Sequence, residues 1–565
     1  MSKQPRSLLG LAVLFISFYL LTSSSLKAAT TSSNLTSQIG AESNSFERRS
    51  KPGTAEETSL PQIQLPAENE PVEASEAVKE FFVKKIQLEG VNAISLKQLD
   101  PILAKFENQN LNLVKLYSIA KNITQYYRLK GYITSRAYVP PQEITDGIVI
   151  IKVVEGKMGK VFVHGNKYVK TNWLTDYMTL KYGEVLQYSR LMRGLIGMNG
   201  NPDRQVTAAL SPSTTPESSD ITLDVKEQNP LHFAYTVDDY GTKVTGKIRQ
   251  GLVFTDTNVL GRDDELDNTL NISDTAGFVG EAVNYSFPIT PNGGRLNFSY
   301  TYSREALNQK MEPLDVRGGA NTWGIGYVQP LVDELNWKLN IDSGIDIKNV
   351  WSMVSGQGNP TDRVRVLHVG PDLQVRDSLG STEFKDDFNY GDPDLIDGNG
   401  SRFYMDDFSM NRQQKFFWDS VIVERFQAQM TGNSLVSVEQ LEAGGFDTVR
   451  GYDENDSLGD YGFVENTEWH IPPYFLPKSW TIPWHHQSIW DAVQLVTFLD
   501  CASVHLRYPA AGDASERNLM GAGEGIRISL TKSINAQIDW GWPIGDKPVD
   551  GSRSGRLHFG AYIPF

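Results

Sequence analysis

The chain has 565 residues, with 68 acidic against 53 basic side chains and a net charge of −15. That balance argues against a nucleic-acid binder, which needs a basic footprint, and the single cysteine, Cys501, rules out an internal disulfide or a cysteine-rich zinc site. Past the N-terminus there is no run of about 18 apolar residues to make a transmembrane helix, yet 25 Phe, 23 Tyr, 11 Trp and 48 Gly suit a chain that crosses a membrane as strands.

Lys3 and Arg6 precede an apolar run over residues 8–21, and the small pair Ala28-Ala29 follows a Ser-rich stretch. The run is too short to span a bilayer, and with its basic flank it reads as a signal peptide, residues 1–29, rather than a buried helix. The imperfect small-residue pattern leaves the exact cut open. Residues 30–80 show no apolar period, carry Pro52, Pro61, Pro66 and Pro71, and hold nine acids against four bases. They cannot bury enough surface to offset their ordering entropy and read as a flexible segment, in which a short plug helix is allowed but not demanded.

From Phe81 the pattern becomes strand, helix, helix, strand, strand. Ile86 and Leu88 lie in a strand ending at Gly90, Leu96 to Leu103 and Leu113 to Tyr127 have helical spacing, and strands are expected over 133–139 and 148–154. The order then recurs. Val161-Phe162-Val163-His164-Gly165 echoes Ile86-Gln87-Leu88-Glu89-Gly90, and the closing Glu227 echoes Glu155. Two units, 81–156 and 157–228, form an internal repeat, against the alternative of two unrelated α+β domains. Their order and glycine positions resemble POTRA domains, the periplasmic modules that precede outer-membrane barrels. The stretch Asn201-Pro202-Asp203-Arg204 resembles the second POTRA of two-partner secretion transporters, the TpsB family. A small mixed sheet has open edges, which invite aggregation unless shielded or used, and such an edge can accept an extended chain as an added strand.

Residues 229–565 alternate. Leu296, Phe298, Tyr300 and Tyr302 interleave with Asn297, Ser299 and Thr301; Ile534, Ala536, Ile538 and Trp540 interleave with Asn535, Gln537 and Asp539. Apolar-out and polar-in strands of this length are the pattern of a transmembrane barrel; a β-sandwich would also alternate. At the C-terminus Leu557, Phe559, Ala561, Ile563 and Phe565 share one face. That ending is similar to the closing and assembly signal of bacterial outer-membrane proteins. An unpaired edge cannot sit in hydrocarbon, so the last strand is expected to close on residues 233–237. The length allows about sixteen strands. Residues 372–407, with ten acids against three bases, read as an exposed outer loop. Within them Asp392, Asp394 and Asp397 only faintly suggest a calcium loop, since the full ligand spacing is missing. His485 and His486 point to opposite faces if on a strand and are not read as metal ligands.

Three stretches extend the resemblance over residues 81–565. Val237-Asp238-Asp239-Tyr240-Gly241 and Asn258-Val259-Leu260-Gly261-Arg262-Asp263-Asp264 look like the opening hairpins of TpsB barrels, and Val449-Arg450-Gly451-Tyr452 matches the inward-loop tetrad of the TpsB and BamA-like superfamily. The resemblance implies that Arg450 pairs with an acid on the barrel wall. The family's wall pattern is Phe-x-Asp-x-Gly; here Phe498-Leu499-Asp500-Cys501-Ala502 offers Asp500, with Ala502 in place of glycine. A guanidinium–carboxylate fork has fixed geometry and would hold a loop in position rather than perform chemistry.

The expected architecture is therefore two periplasmic α+β POTRA domains followed by a transmembrane antiparallel β-barrel of about sixteen strands over 229–565. By the resemblance, the function is that of an outer-membrane pore of a Gram-negative-type bacterium, passing an unfolded exoprotein of haemolysin, haemagglutinin or adhesin type to the surface without ATP. Outer-membrane lipid and the barrel assembly machinery are the other expected partners. The alternatives are a BamA-like assembly factor and an outer-membrane enzyme such as a lipase. The sequence shows no Ser-His-Asp spacing, phosphate loop or metal cluster, so no catalytic residue, cofactor or metal is expected.

Overall fold

The computed structural model describes residues 41–42, 63–64 and 80–565, apart from 292, 307–315, 335, 355–356, 359–361, 393–401, 484–486, 510–513 and 531–533. The expected signal peptide, the His485-His486 pair, and Asp394 and Asp397 of the acidic stretch lie outside the described residues. Two compact units emerge, Ala55–Asn229 and Pro230–Phe565 together with Met1–Thr54.

Ala55–Asn229 holds two lobes of the same build. In the first, strands Lys85–Glu89, Ile148–Val154 and Arg136–Tyr138 form one sheet under helices Leu96–Leu103 and Leu113–Leu129. In the second, strands Lys157–His164, Ser218–Glu227 and Arg204–Pro212 lie under helices Thr171–Asp176 and Tyr188–Met198. Each helix buries its apolar stripe on its own sheet: Leu116, Ile119, Ile123 and Tyr127 in one lobe, Leu191, Leu195 and Met198 in the other.

The repeat extends to individual contacts. Gly90 and Gly165 both turn the chain at positive φ, +85° and +87°, where a Cβ would strike the carbonyl of Val153 or of Val225. Glu155 accepts the amides of Asn92 and Ala93, each at 2.7 Å, and Glu227 accepts those of Lys167, Tyr168 and Val169. Each lobe thus uses a carboxylate at the end of its last strand to satisfy the loop after its first. Burial and the neighbouring Glu155 push the Tyr127 hydroxyl well above its ordinary pKa, so it stays a proton donor to that carboxylate at 2.8 Å.

The lobes differ at their edges. The strand expected over 133–139 shrinks to Arg136–Tyr138, because Ser135 turns back onto Tyr132 and Pro140-Pro141 follow. Side chains close what remains. The Ala137 amide donates to Thr124 Oγ1, Gln142 bonds both backbone groups of Ile150, and at the opposite edge the Ile86 amide donates to Glu107. The second lobe instead keeps a nine-residue edge strand, Arg204–Pro212.

The other unit is a closed antiparallel barrel. Sixteen strands run from Leu231–Asp238 to Arg556–Pro564, the eighth being Asp362–Arg376 with the short Gln357–Gly358 piece beside it. Among the described residues no helix is long and apolar enough to cross a membrane, which says nothing of a barrel. The outer face carries exposed Trp323, Ile325, Phe388, Ile538 and Leu557, an apolar surface far larger than a soluble monomer presents to water. The closed ring excludes the sandwich.

The acidic stretch 372–407 is not an outer loop. Most of it is barrel wall, within strands Asp362–Arg376, Gly380–Gly391 and Phe403–Lys415. Its acids alternate with outward aromatics such as Phe388, and Asp387 and Asp407 line a cavity of about 570 Å³ inside the barrel. Acid density hid a period of two.

The ring closes where expected. Ala234 to Asp238 pair with Pro564 to Gly560, five positions, against eight between the first and second strands. The Phe565 amide donates to the Phe233 carbonyl at 2.9 Å, and the two rings stack at 6.1 Å. Phe559, Leu557 and Ile563 share the outer face, while His558 is buried inward. Because the closing ladder is short, losing Phe565 removes a sizeable part of it. Deleting Phe565 should lower the amount of heat-modifiable barrel in outer-membrane fractions; normal accumulation would show that closure and assembly do not depend on it.

Candidate functional site

The connection between the eleventh strand, Val421–Thr431, and the twelfth, Tyr461–Ile471, folds inward and is packed against the lumenal wall. A small hairpin, Leu441–Ala443 with Ser457–Gly459, braces it. Leu441, Ala443, Val449 and Tyr452 of the loop form one buried cluster with Val464, Ala502, Val504 and Leu519 of the wall. Ala502, where the family pattern has glycine, places its methyl inside this cluster and does not hold the loop away.

Arg450 lies at the centre, its side chain 1% exposed. Its Nε and one terminal nitrogen donate to the two oxygens of Asp500, both at 2.8 Å, and its backbone amide adds a third bond at 3.0 Å. The other terminal nitrogen donates to Glu468 at 2.7 Å and to Asp539 at 3.1 Å. The guanidinium stacks over the Phe498 ring at 3.5 Å, so both residues picked from the wall pattern touch it. Asp500 is fully buried, and Asn466 donates to its Oδ1 at 2.9 Å. Its four accepted bonds leave little lone-pair capacity unused.

The carboxylates do not depend on Arg450 alone. Arg527 donates to Asp539 at 2.6 Å and to Glu468 at 3.1 Å, Arg425 reaches Glu468 at 3.2 Å, and His470 lies 2.7 Å from the same carboxylate. Three guanidiniums thus face three carboxylates. A network of this kind is tolerable in a low-dielectric lumen only when its members are hydrogen-bonded.

Glycine makes the approach possible. Gly451 has φ +94°, and a Cβ there would sit 2.8 Å from the Trp542 carbonyl carbon of the fifteenth strand, Ile534–Pro543. Gly541, on the wall opposite, would bring a Cβ to 2.7 Å from the Gly451 nitrogen. The Gly451 amide donates to His558, and its carbonyl accepts from Arg556, both on the last strand. Tyr452 buries its ring and donates to the Asp546 carbonyl at 2.8 Å. Farther along the loop Glu439 pairs with Lys348 of the seventh strand, Trp337–Val354, at 3.0 Å.

The sequence alone did not single out Glu468 and Asp539 as partners of Arg450, nor Arg527 as the second guanidinium on the same two carboxylates. Asp539 was already on the polar face of its strand, and Glu468 falls on the face of Asn466 and His470, so alternation marked both as lumenal. A stronger signal was Gly521, Gly523 and Gly525, alternate inward positions that leave room for Arg450, Phe498 and Asp539.

Asn201, Pro202, Asp203 and Arg204 are not at this site. They form the tight link from helix Tyr188–Met198 into strand Arg204–Pro212. Buried Arg204 donates to the Met198 carbonyl at 2.6 Å, and the Asp203 carbonyl accepts the Gln228 amide. Elsewhere in the barrel unit, Ala41 and Glu42 are helical and buried. The Glu42 carboxylate accepts from Thr245 at 2.8 Å and from Arg249, whose guanidinium lies over Phe278 at 4.0 Å. Among the described residues no group of three or more His, Cys, Asp or Glu is arranged to hold a metal.

Residues 81–156 match the ShlB-type POTRA domain. The outer membrane transporter CdiB of Dickeya dadantii (strain 3937) is 21% identical over 491 residues, 82% of this chain and 83% of that one. CdiB-2 of Burkholderia pseudomallei (strain 1026b) is 26% identical over 393 residues, 66% of each chain. The solved structure of CdiB from Escherichia coli superposes with a TM-score of 0.68 at 19% identity, covering 95% of this chain and all of that one. Residues 217–528, more than half of the chain, match the family of haemolysin secretion/activation proteins ShlB/FhaC/HecB, and the chain belongs to that family.

Proposed function

We propose that this outer-membrane protein is the export pore of a two-partner secretion system, which takes an unfolded exoprotein from its α/β lobes and passes it through the barrel. The observation that carries this reading is a closed barrel whose inward loop is fastened by Arg450, in a chain that also bears the ShlB-type POTRA module. Such a clasp positions a loop in a conduit. It presents no nucleophile beside a base, which argues against an enzyme. Nothing in it uses a nucleotide, and folding of the client on the far side would supply the drive.

Deleting residues 81–228 should abolish secretion of the co-expressed exoprotein while the barrel still reaches the outer membrane. Undiminished secretion would remove the capture role. The BamA-like alternative predicts that other barrels would fail to assemble in a deletion strain; unaltered outer-membrane composition would exclude it.

The buried Glu42 suggests that the N-terminal segment plugs the barrel. Arg249 and Thr245 hold its carboxylate, and a charge-assisted pair at this burial resists removal of either partner. Glu42→Ala should raise the open-channel probability in planar bilayers several-fold, and so should Arg249→Ala. Unchanged conductance in both variants would show that the segment is no plug.

A further inference from the structure

The chain enters the barrel from its α/β lobes, so connections after even-numbered strands share the periplasmic end with the start of the first strand. Turns at that end are short in outer-membrane barrels, and residues 334–336 and 377–379 follow the rule. Residues 472–492, between the twelfth strand and the thirteenth, Val493–His505, do not. Their described part is firmly held. The Trp490 indole donates to the Leu476 carbonyl at 2.8 Å, Tyr474 meets the Trp490 ring edge-on at 5.1 Å, and the Lys478 ammonium lies 4.4 Å from the centroid of that ring. Gln487 donates to the Ser529 carbonyl of the fourteenth strand, Glu516–Leu530, at 3.0 Å. The turn 416–420, between the tenth strand, Phe403–Lys415, and the eleventh, exposes Phe416, Phe417 and Trp418. Phe417 meets Trp469 edge-on at 6.1 Å, the Trp469 indole donates to Ser420 at 3.0 Å, and Lys478 reaches Asp419 at 3.8 Å, which joins the two connections.

We propose that residues 416–420 and 472–492 form a one-sided foot that binds the phospholipid of the periplasmic leaflet, with the rings of Phe417, Trp418, Phe475 and Trp480 at the boundary between headgroups and acyl chains. This does not rest on the export reading. It assigns a lipid-binding surface to a connection for which neither the clasp nor the lobes have a use.

Three observations name the occupant. The foot continues the lipid-facing wall: Trp469 alternates with the lumenal pair Glu468 and His470, so it faces outward, and Phe417 packs against it. Its chemistry is interfacial, since Trp and Tyr concentrate where a membrane meets water. The indole N–H groups of Trp469 and Trp490 are satisfied inside the foot. Charge points the same way. The whole chain carries −15, whereas the two connections hold only Asp419, Lys478 and Asp491 as charged side chains at pH 7. A nearly neutral surface escapes the repulsion that the acidic remainder would meet at anionic headgroups.

An aromatic belt would run round the rim, and this surface does not. The other connections at the same end, 257–264, 289–294, 334–336, 377–379 and 531–533, contain no Phe, Tyr or Trp. The turn itself is unusual. Trp418 and Asp419 have φ of +57° and +52°, and a two-residue turn of that kind is ordinarily Asn-Gly or Asp-Gly. A bulky side chain at positive φ is unfavourable, yet Trp418 stands there 69% exposed, its ring touching only the edge of Phe417, itself exposed. That contact is too small to offset the strain, whereas moving the indole from water into the interface offsets it. The foot covers the ends of the tenth to fourteenth strands, four of which carry Arg425, Glu468, Asp500 and Arg527. It therefore steadies in the bilayer the part of the wall that the clasp grips.

The test uses the full-length protein with Cys501→Ser, in nanodiscs of phosphatidylethanolamine and phosphatidylglycerol. Nitroxides are attached one at a time through Trp418→Cys, Phe475→Cys and, as the control in the 377–379 turn, Ser378→Cys. Collision with oxygen, which partitions into lipid, is compared with collision with a water-soluble nickel chelate. The oxygen-to-nickel ratio at positions 418 and 475 should exceed that at 378 at least threefold. A ratio equal to the control would overturn the foot and leave a loop in water. Little collision with either reagent would overturn it in favour of a protein contact. Phe475, 72% exposed, carries the reading if Trp418→Cys yields no heat-modifiable barrel, and Trp480→Cys replaces either position.

Discussion

Arg450→Ala is expected to reduce secretion at least tenfold, and more than Asp500→Ala does, while both barrels still assemble. Removing Arg450 leaves Asp500 with the Asn466 amide and no guanidinium, while Glu468 and Asp539 keep Arg527, and Glu468 also Arg425 and His470. Removing Asp500 leaves Arg450 two other carboxylates. Breaking a buried pair from one side costs about 3–5 kcal/mol, so the arginine variant belongs at the upper end and the aspartate variant lower. Arg450→Lys should not rescue, because an ammonium cannot engage both oxygens of Asp500 while also reaching Glu468. The double variant should lose little more than Arg450→Ala alone, since both changes break one interaction. The measurement is a double-mutant cycle on secreted exoprotein, normalised to heat-modifiable barrel. Additive losses would show that Arg450 and Asp500 act separately.

Much of this was legible in the residues, and the failures have physical causes. Period-two alternation placed Asp500 inward and Leu499 outward, and the structure has Asp500 buried and Leu499 exposed. The repeat was visible in Gly90 and Gly165 because a positive φ and a carbonyl close to the absent Cβ leave no other choice of residue. Residues 372–407 were misread because a lumenal strand face can be as acidic as a loop, and composition averages over the two faces that alternation separates. Glu468, only 18 residues after Arg450, was missed because alternation tells which face of a strand a side chain occupies and not which loop group it meets there.

The last expectation concerns the room in which the clasp closes. Gly541→Ala should lower secretion several-fold, and Gly541→Val should approach the loss caused by Arg450→Ala. The cause is space rather than backbone strain, since it is Gly451 that carries the positive φ. A Cβ on Gly541 would stand 2.7 Å from the Gly451 nitrogen and 2.8 Å from the Arg450 carbonyl carbon. Neither atom belongs to a flexible side chain, so the loop itself must retreat by several tenths of an ångström. Arg450 is held by bonds of 2.7 to 3.1 Å to three carboxylates on three strands, and one shift of the loop lengthens all of them together. Overpacking alone costs about 1–3 kcal/mol, and weakened charge-assisted bonds add to it. Gly432→Ala serves as the control, because a Cβ there meets nothing within 4 Å. Limited proteolysis of the loop in outer-membrane fractions should follow the same order, with Gly432→Ala as resistant as the unaltered protein and Gly541→Val most readily cut. If Gly541→Val secretes normally and its loop stays resistant, close contact between loop and wall is not what holds the clasp shut.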